Sequence, residues 1–377
     1  MRTALVSDLH LGSRREKDLL RRPEIRARLW EALEGADRLV LLGDTLELRE
    51  LPQGMVLERA RPFFDELAKT GIGEVVLIAG NHDHRIAEPF IEALRIANPE
   101  AALALDTTFK PDAGAAGIAG GIAARLPDTR LTVAYPGFRI RDDVYATHGH
   151  YLDAHMTVPT TECISGRLAA KLVGGPPDGP RSVADYEAAL APLYAFAYAV
   201  AQGAAPAAGR VRRGDTLAAD VWERASGRGG RLRTRLAGML LRRIALPGGV
   251  AVLNRLGLGP FSAELSAGTL RRSGLSAIAE VTRSLDLDVD VDHLIFGHIH
   301  RPGPLPGDRI AEWRPAGSPA LTNSGSWSFD EVFLGRDGAA TNPYWPGSIV
   351  YVGDEGPPEI VSVLAELSFE QLSASGT

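Results

Sequence analysis

The stretch ALVSDLHLGS, residues 4–13, decides the fold. Ala4-Leu5-Val6 is a short apolar run that reads as a buried strand. Directly after it come an aspartate and a histidine one residue apart, Asp8 and His10. Alone, such a pair is more often polarity at a strand end than half of a metal site. The rest of the chain has to settle which it is.

The same pattern recurs. Leu39–Leu42 and Val75–Ala79 are further apolar runs bounded by Gly or Asp, and Glu16–Leu33 and Val56–Lys69 read as amphipathic helices between them. Strand, helix and strand at this spacing imply βαβ units and a parallel sheet. Leu131–Ala134 and Arg139–Thr147 read as further strands, and the Gly/Ala-rich stretch Ala113–Ala124 as a loop or small packed turn. Beyond residue 155 the strand signals stop. Helical patterns cover Ser182–Gln202, Thr216–Ala225, Arg231–Ile244 and Phe261–Leu285, separated by Gly/Pro breakers. Strands return at His293–Phe296, Ser348–Val352 and Glu359–Leu364, with a hairpin expected over Asn323–Phe333. The expected division is a core of residues 1–155 plus 290–365, a helical insertion over 156–289, and a tail over 366–377.

The chain has 377 residues, 45% hydrophobic and 23% charged, which suits a globular protein with a sizeable core. Its net charge of −6 argues against nucleic acid as the main partner. The lone cysteine, Cys163, excludes an intramolecular disulfide, fits a reducing compartment and shows no partner in the sequence. The apolar run after Thr3 is too short for the core of a secretory leader, and no stretch of 18 or more apolar residues appears. The expected location is cytoplasmic, with peripheral contact at the inner membrane face left open.

Five polar clusters follow the strands: Asp8-Leu9-His10, Gly43-Asp44, Gly80-Asn81-His82-Asp83, Thr147-His148-Gly149-His150 and Gly297-His298-Ile299-His300. Carboxyl ends of strands are where open α/β sheets place ligands. Imidazoles, carboxylates and one amide suit divalent Mn, Fe, Zn or Co, and no cysteine set points to structural zinc. Seven candidate donors exceed what one ion takes and suggest two metals about 3.5–4 Å apart.

D-x-H, GD, GNHD, H-G-H and GHxH, in this order, resemble the calcineurin-like metallophosphoesterase superfamily. The resemblance spans roughly residues 1–155 and 290–365. SDLHLG, GHIHRP and the later NSGSW are similar to the branch that includes UDP-2,3-diacylglucosamine pyrophosphatases. The resemblance implies an α/β fold, a four-layer α-β-β-α sandwich carrying the helical insertion. It implies that Asp8, His10 and His300 hold one metal, that Asn81, His148 and His298 hold the other, and that Asp44 bridges them. A hydroxide bridging the metals would attack phosphorus in a phosphoester or pyrophosphate, with a nucleotide- or lipid-linked substrate as the expectation. His82 would stabilise the transition state or protonate the leaving oxygen. The pyrophosphatase branch tends to carry arginine at that place, so His82 departs from it.

Other residues have open readings. His150 and Arg301 are candidate substrate contacts, each weighed against solvation. His84 and Arg85 read as polarity at a helix start, and His155 and His293 as structural. Glu47 and Asp83 read equally as groups that orient His82 or as surface carboxylates. Residues 205–250 carry ten arginines against three acids, with Leu232, Leu236, Met239, Leu240 and Ile244 at helical spacing. That segment reads as packed helix, active-site lid or membrane-surface contact. A nuclease, a cyclic-nucleotide phosphodiesterase and a non-catalytic binding module are the alternatives to a hydrolase of small phosphorylated or lipid-linked substrates.

Overall fold

The computed structural model describes residues 1–98, 103–112, 117–172, 179–203, 246–264, 266–287, 291–329 and 342–373. Its centre is a large, curled, mixed sheet flanked by helices. Strands β1 (Thr3–Val6), β2 (Arg38–Leu42), β3 (Glu74–Ile78) and the start of β5 (Arg130–Arg141) run parallel, in register from Thr3↔Arg38 to Ile78↔Ala134. On the outer side of β1, β9 (Ser348–Val352) and then β10 (Glu359–Ser362) pair antiparallel.

β5 belongs to two halves of the sheet. Its first residues pair with β3, and with the short β4 (Asp106–Phe109). From Gly137 onward it pairs antiparallel with β6 (Val144–Thr147). Then β7 (His293–Phe296) and β8 (Ala320–Asn323) follow in parallel. Pro136 ends the pairing with β4, opposite Asp106, one residue before the pairing with β6 begins at Gly137.

Alternation along the strands sends side chains to opposite faces. Ala4, Val6, Leu39, Leu41, Val75 and Leu77 pack outward with α1 (Pro23–Ala32), α2 (Gln53–Leu67), α3 (Glu88–Ala97) and α4 (Ile118–Ala123). Leu5, Val40, Leu42, Val76 and Ile78 point the other way, into one cluster with Val144, Ala146 and Ile295 of the second half. Each such buried aliphatic side chain contributes about 1.5–3 kcal/mol. The opposite face of the second half, including Tyr145, Leu294 and Phe296, packs on residues from α5 (Thr161–Leu172), α6 (Val183–Gly203), α7 (Leu246–Arg255) and α8 (Ala267–Ser284). A last short helix, α9 (Phe369–Ser373), buries Leu372 against the first core.

Several expectations shift. The helix expected over Glu16–Leu33 begins at Pro23, after a 3-10 turn at Leu19–Arg21, because Arg22 before the proline is held extended (φ −91°, ψ 122°). The Gly/Ala-rich stretch read as a loop contains α4. Two expected strands over residues 131–147 are one long strand that turns only at Asp142-Asp143 and then β6. Phe261–Glu264 is not helical; α8 starts where the Ser266 hydroxyl accepts from Thr269 N at 3.0 Å. The hairpin expected from Asn323 is absent as far as Phe329, since Ala320–Asn323 pairs with β7 instead. The helices expected at Thr216–Ala225 and Arg231–Ile244, with their arginine-bordered stripe, lie outside the described residues.

Candidate metal centre

The loops after β1, β2, β3, β6 and β7 converge at one end of the sheet. The loops after β1 and β2 continue side by side, with Asp8 N donating to Gly43 O (3.1 Å) and His10 N to Asp44 O (2.8 Å). Five non-glycine residues here have left-handed backbone: Asp8 (φ 54°), His10 (46°), Asp44 (49°), His298 (67°) and His300 (55°). Among the described residues only Glu16 and Asp286 share that property. Each such residue is strained and persists only where its surroundings over-determine it, which is typical of functional sites.

The side chains gather in three groups, the third being His10, Glu47 and His82, which shares His10 with the first. In the first, Asp8 Oδ1 lies 3.0 Å from His300 Nε2, which is 3.4 Å from His10 Nε2. In the second, Asp44 Oδ2 lies 3.3 Å from His148 Nε2, with His298 alongside. Within each triad, Asp8/His10/His300 and Asp44/His148/His298, the donor atoms fall within 4.8 Å of one another. Asp44 also sits 3.8 Å from His10 Nε2, between the groups.

Asn81 lies between them, one end of its amide 3.2 Å from Asp44 Oδ2 and 3.3 Å from His148 Nε2 and the other 3.0 Å from the Arg49 guanidinium. Asp8 Oδ1 is buried with no hydrogen bond of good geometry. Burial opposes charge on His148 and His10, yet Asp44 and Glu47 prevail and push them up to about 10 and about 9. Burial also works against the Asp8 carboxylate, but His300 and His148 bring it down to about 2. The cluster thus calls for positive charge, which divalent ions supply with no protons on the imidazoles.

Backbone chemistry places these groups. Gly43 adopts φ +81°, and a Cβ there would lie 2.3 Å from the His148 ring. Gly80 and Gly297 have no left-handed backbone. They are required for space, since a Cβ would stand 2.3 Å from Asp44 Oδ1 at Gly80 and 2.7 Å from Asp8 Oδ2 at Gly297. Asp83 is buried and accepts four backbone N–H groups: Gly80 (2.7 Å), Thr45 (2.8 Å), Asp44 (3.2 Å) and Leu46 (3.2 Å). Burial and the Asp44 charge push its carboxyl up to about 6, and those four donors are what hold the anion. It orients the Asp44 and Asn81 loops rather than His82. The NSGSW stretch braces the other side: Asn323 Nδ2 donates to Gly297 O (2.6 Å), Ser324 Oγ meets Ser7 Oγ (2.7 Å), and Ser326 Oγ donates to Asp8 O (3.2 Å).

His82 belongs to the third group. Its backbone N–H donates to Asp44 Oδ1 (2.8 Å), and its Nδ1 is 2.7 Å from Glu47 Oε2, the oxygen that also meets His10 Nδ1 at 3.0 Å. Glu47 is therefore no surface carboxylate. A cavity of about 340 Å³ opens here, lined by Asp44, Asn81, His82, His298 and His300 together with apolar Met156, Leu270, Ile299 and Tyr344.

The remaining candidates sit deeper. His150 is buried and does not line that cavity; its Nε2 is 3.1 Å from the Tyr135 hydroxyl. Its pKa lies well below the usual value, through burial first and the neighbouring histidines second. Arg301 is neither solvated nor at the cavity. It is 4% exposed and forms a two-pronged pair with Asp308 (2.6 and 3.0 Å), which uses up the cation a phosphate contact would need. His84, expected as polarity at a helix start, is buried with its Nε2 3.1 Å from Glu187 Oε2 on α6. Glu187 also accepts from Tyr135 (2.5 Å) and Tyr151 (2.9 Å), so α6 is tied to the loops after β3 and β6. Sequence reading missed Glu187 and Asp153. The Cys163 thiol also has partners: Thr160 Oγ1 donates to it at 2.8 Å, and its sulfur lies 3.7 Å from Asp153 Oδ1.

Residues 1–164 match the family model of the calcineurin-like phosphoesterases, whose members are dinuclear metal hydrolases. His298 and His300 fall beyond the matched span; the fold alone brings them to the other donors. No curated protein matches the chain.

Proposed function

We propose that this chain, whose residues 1–164 form a calcineurin-like phosphoesterase domain, hydrolyses phosphoester or pyrophosphate bonds at a centre built for two divalent metals. The observation that carries this reading is the pair of triads, with Asp44 a member of one and 3.8 Å from His10 Nε2 of the other. In it, Asp8, His10 and His300 would hold one metal and Asn81, His148 and His298 the other, with Asp44 shared between them. Nitrogen and oxygen donors without thiolate suit Mn, Fe, Zn or Co. When bound, such a pair of ions lowers the pKa of a water and neutralises charge on phosphoryl oxygens.

The chain's own residues supply the rest. His10 and His148 each present Nε2 because their Nδ1 is occupied, by Glu47 and by the Leu42 carbonyl (3.0 Å). His82, fixed through Nδ1 to Glu47, has Nε2 left to hold a proton for the departing oxygen. The apolar side chains at the cavity fit an organic group beside the phosphoryl group, which supports a nucleotide- or lipid-linked substrate.

The same reading gives a four-layer α-β-β-α sandwich. In support, one cluster joins the facing sides of the two sheet halves, and helices pack on both outer sides. It also divides the chain into a core, residues 1–155 plus 290–365, and an insertion over 156–289 whose described elements are helical. No described helix is long and apolar enough to cross a membrane.

The test is hydrolysis of bis-p-nitrophenyl phosphate by metal-stripped protein, with and without Mn²⁺, beside Asp44→Asn. Turnover that needs Mn²⁺ and vanishes in the variant is the expected result. Absence of both turnover and metal uptake would overturn the reading.

A further inference from the structure

Asp153 is the carboxylate that the sequence did not single out and the structure places against a metal-ligand candidate. It lies in the short 3-10 helix His150–Ala154, is 2% exposed and borders the cavity. Its Oδ1 is 3.1 Å from His298 Nε2. We propose that Asp153 is a positioning residue: it takes the His298 Nε2 proton as a hydrogen bond and so presents Nδ1 to the second metal.

Three observations carry this. The arrangement repeats a device seen twice nearby, where one ring nitrogen of His10 and one of His148 is occupied by an oxygen. A neutral imidazole has one N–H and one lone pair, so binding the first fixes where the second points. Asp153 is also not a member of the donor set formed by Asp44, His148 and His298, which separates orienting His298 from joining it as a ligand. Finally, the carboxylate is itself held. The Cys163 thiol on α5 reaches Asp153 Oδ1 at 3.7 Å and accepts from Thr160, which links the helices beyond residue 155 to a side chain on the β7 loop. Asp153 Oδ2 is buried with no hydrogen-bond partner, so the contacts of Oδ1 to His298 and Cys163 are what hold the carboxylate here.

This inference rests on the two-metal reading, and the experiment keeps the two apart. Metal-stripped wild type and Asp153→Ala are titrated with Mn²⁺ by calorimetry, with bound metal counted after dialysis. Wild type taking up two equivalents while Asp153→Ala binds one of them about 10–100-fold more weakly is the expected result. Asp153→Asn, which keeps an acceptor oxygen, should recover much of the loss. Two equivalents at wild-type affinity in Asp153→Ala, or both weakened alike, would overturn the role of Asp153. Failure of wild type to bind two would instead sink the two-metal reading. Should Asp153→Ala not fold, ring ¹⁵N shifts of His298 in the Zn²⁺-loaded wild type decide. The Nε2–H tautomer supports the proposal, and the Nδ1–H tautomer contradicts it.

Discussion

Glu47 Oε2 lies 2.7 Å from His82 Nδ1 and 3.0 Å from His10 Nδ1, so one buried oxygen orients both a candidate acid and a candidate metal ligand. Burial works against its negative charge, but His82 and His10 hold its pKa well below the usual carboxylate range. Glu47→Ala should therefore lower kcat and weaken Mn²⁺ binding together. Orienting partners of metal ligands are worth about 10–100-fold in affinity. Mn²⁺ titration beside steady-state kinetics checks this; a fall in rate with unchanged affinity would place Glu47 on His82 alone.

His82→Ala, by contrast, should retain both metals and lose about 10²–10⁴-fold in kcat, the usual contribution of a proton-transferring side chain. The loss should be largest for substrates with poor leaving groups. A series of phosphodiesters of graded leaving-group pKa reads it out. A loss independent of the leaving group would assign His82 to transition-state charge rather than to proton donation.

Asp83→Ala should be mainly a folding defect. It strips acceptors from four N–H groups around the Asp44 and Asn81 loops. Each buried donor left unmatched costs about 1–3 kcal/mol. A loss of at least about 3 kcal/mol in urea denaturation of the metal-free protein is expected.

Glu187→Ala should cost about 3–5 kcal/mol, the range for breaking a buried charged network. It leaves His84, Tyr135 and Tyr151 without their shared partner. Tyr151→Phe removes one bond and should cost about 1 kcal/mol. Denaturant melts of both variants, with far-UV dichroism as the probe, make the comparison.

Acid should weaken the fold through His155. Burial lowers its pKa from 6.5 to about 4, and its Nε2 meets the Tyr186 hydroxyl at 2.6 Å. The unfolded chain takes up a proton near pH 6.5 while the folded chain resists it. Stability from this group is present above pH 6.5 and is lost as pH falls toward 4, by about 3 kcal/mol in all. His155→Gln should flatten the stability profile across that window.

The donors were legible because each stands directly after an apolar run, and a strand's carboxyl end can be found from pattern alone. Asp8, His10, Asp44, Asn81, His148, His298 and His300 all carry that signal. Asp153 and Glu187 do not. Asp153 follows no strand of its own, and Glu187 is an acid in an alanine-rich helix, 103 residues from the His84 it contacts. Only the fold brings such groups to their partners. Arg301 misled for the reverse reason: it follows a donor in sequence, but Asp308 claims it. The expected start of α1, at Glu16, is too early, although Pro23 marks it. β4 and β8 were not legible, since DTTF and ALTN are short and half polar.

The passage of β5 from one half of the sheet to the other has a mechanical consequence. Asp8, His10, Asp44 and Asn81 hang from strands on one side of that crossing, and His148, His298 and His300 from strands on the other. The Asp8 and Asp44 triads each draw from both sides. A cation seated in either triad would act as a clasp across a hinge, its binding energy adding to the adhesion between the two sides. Loosening the seam at Ile140 or Val144, far from any ligand, should then make the protein leak metal.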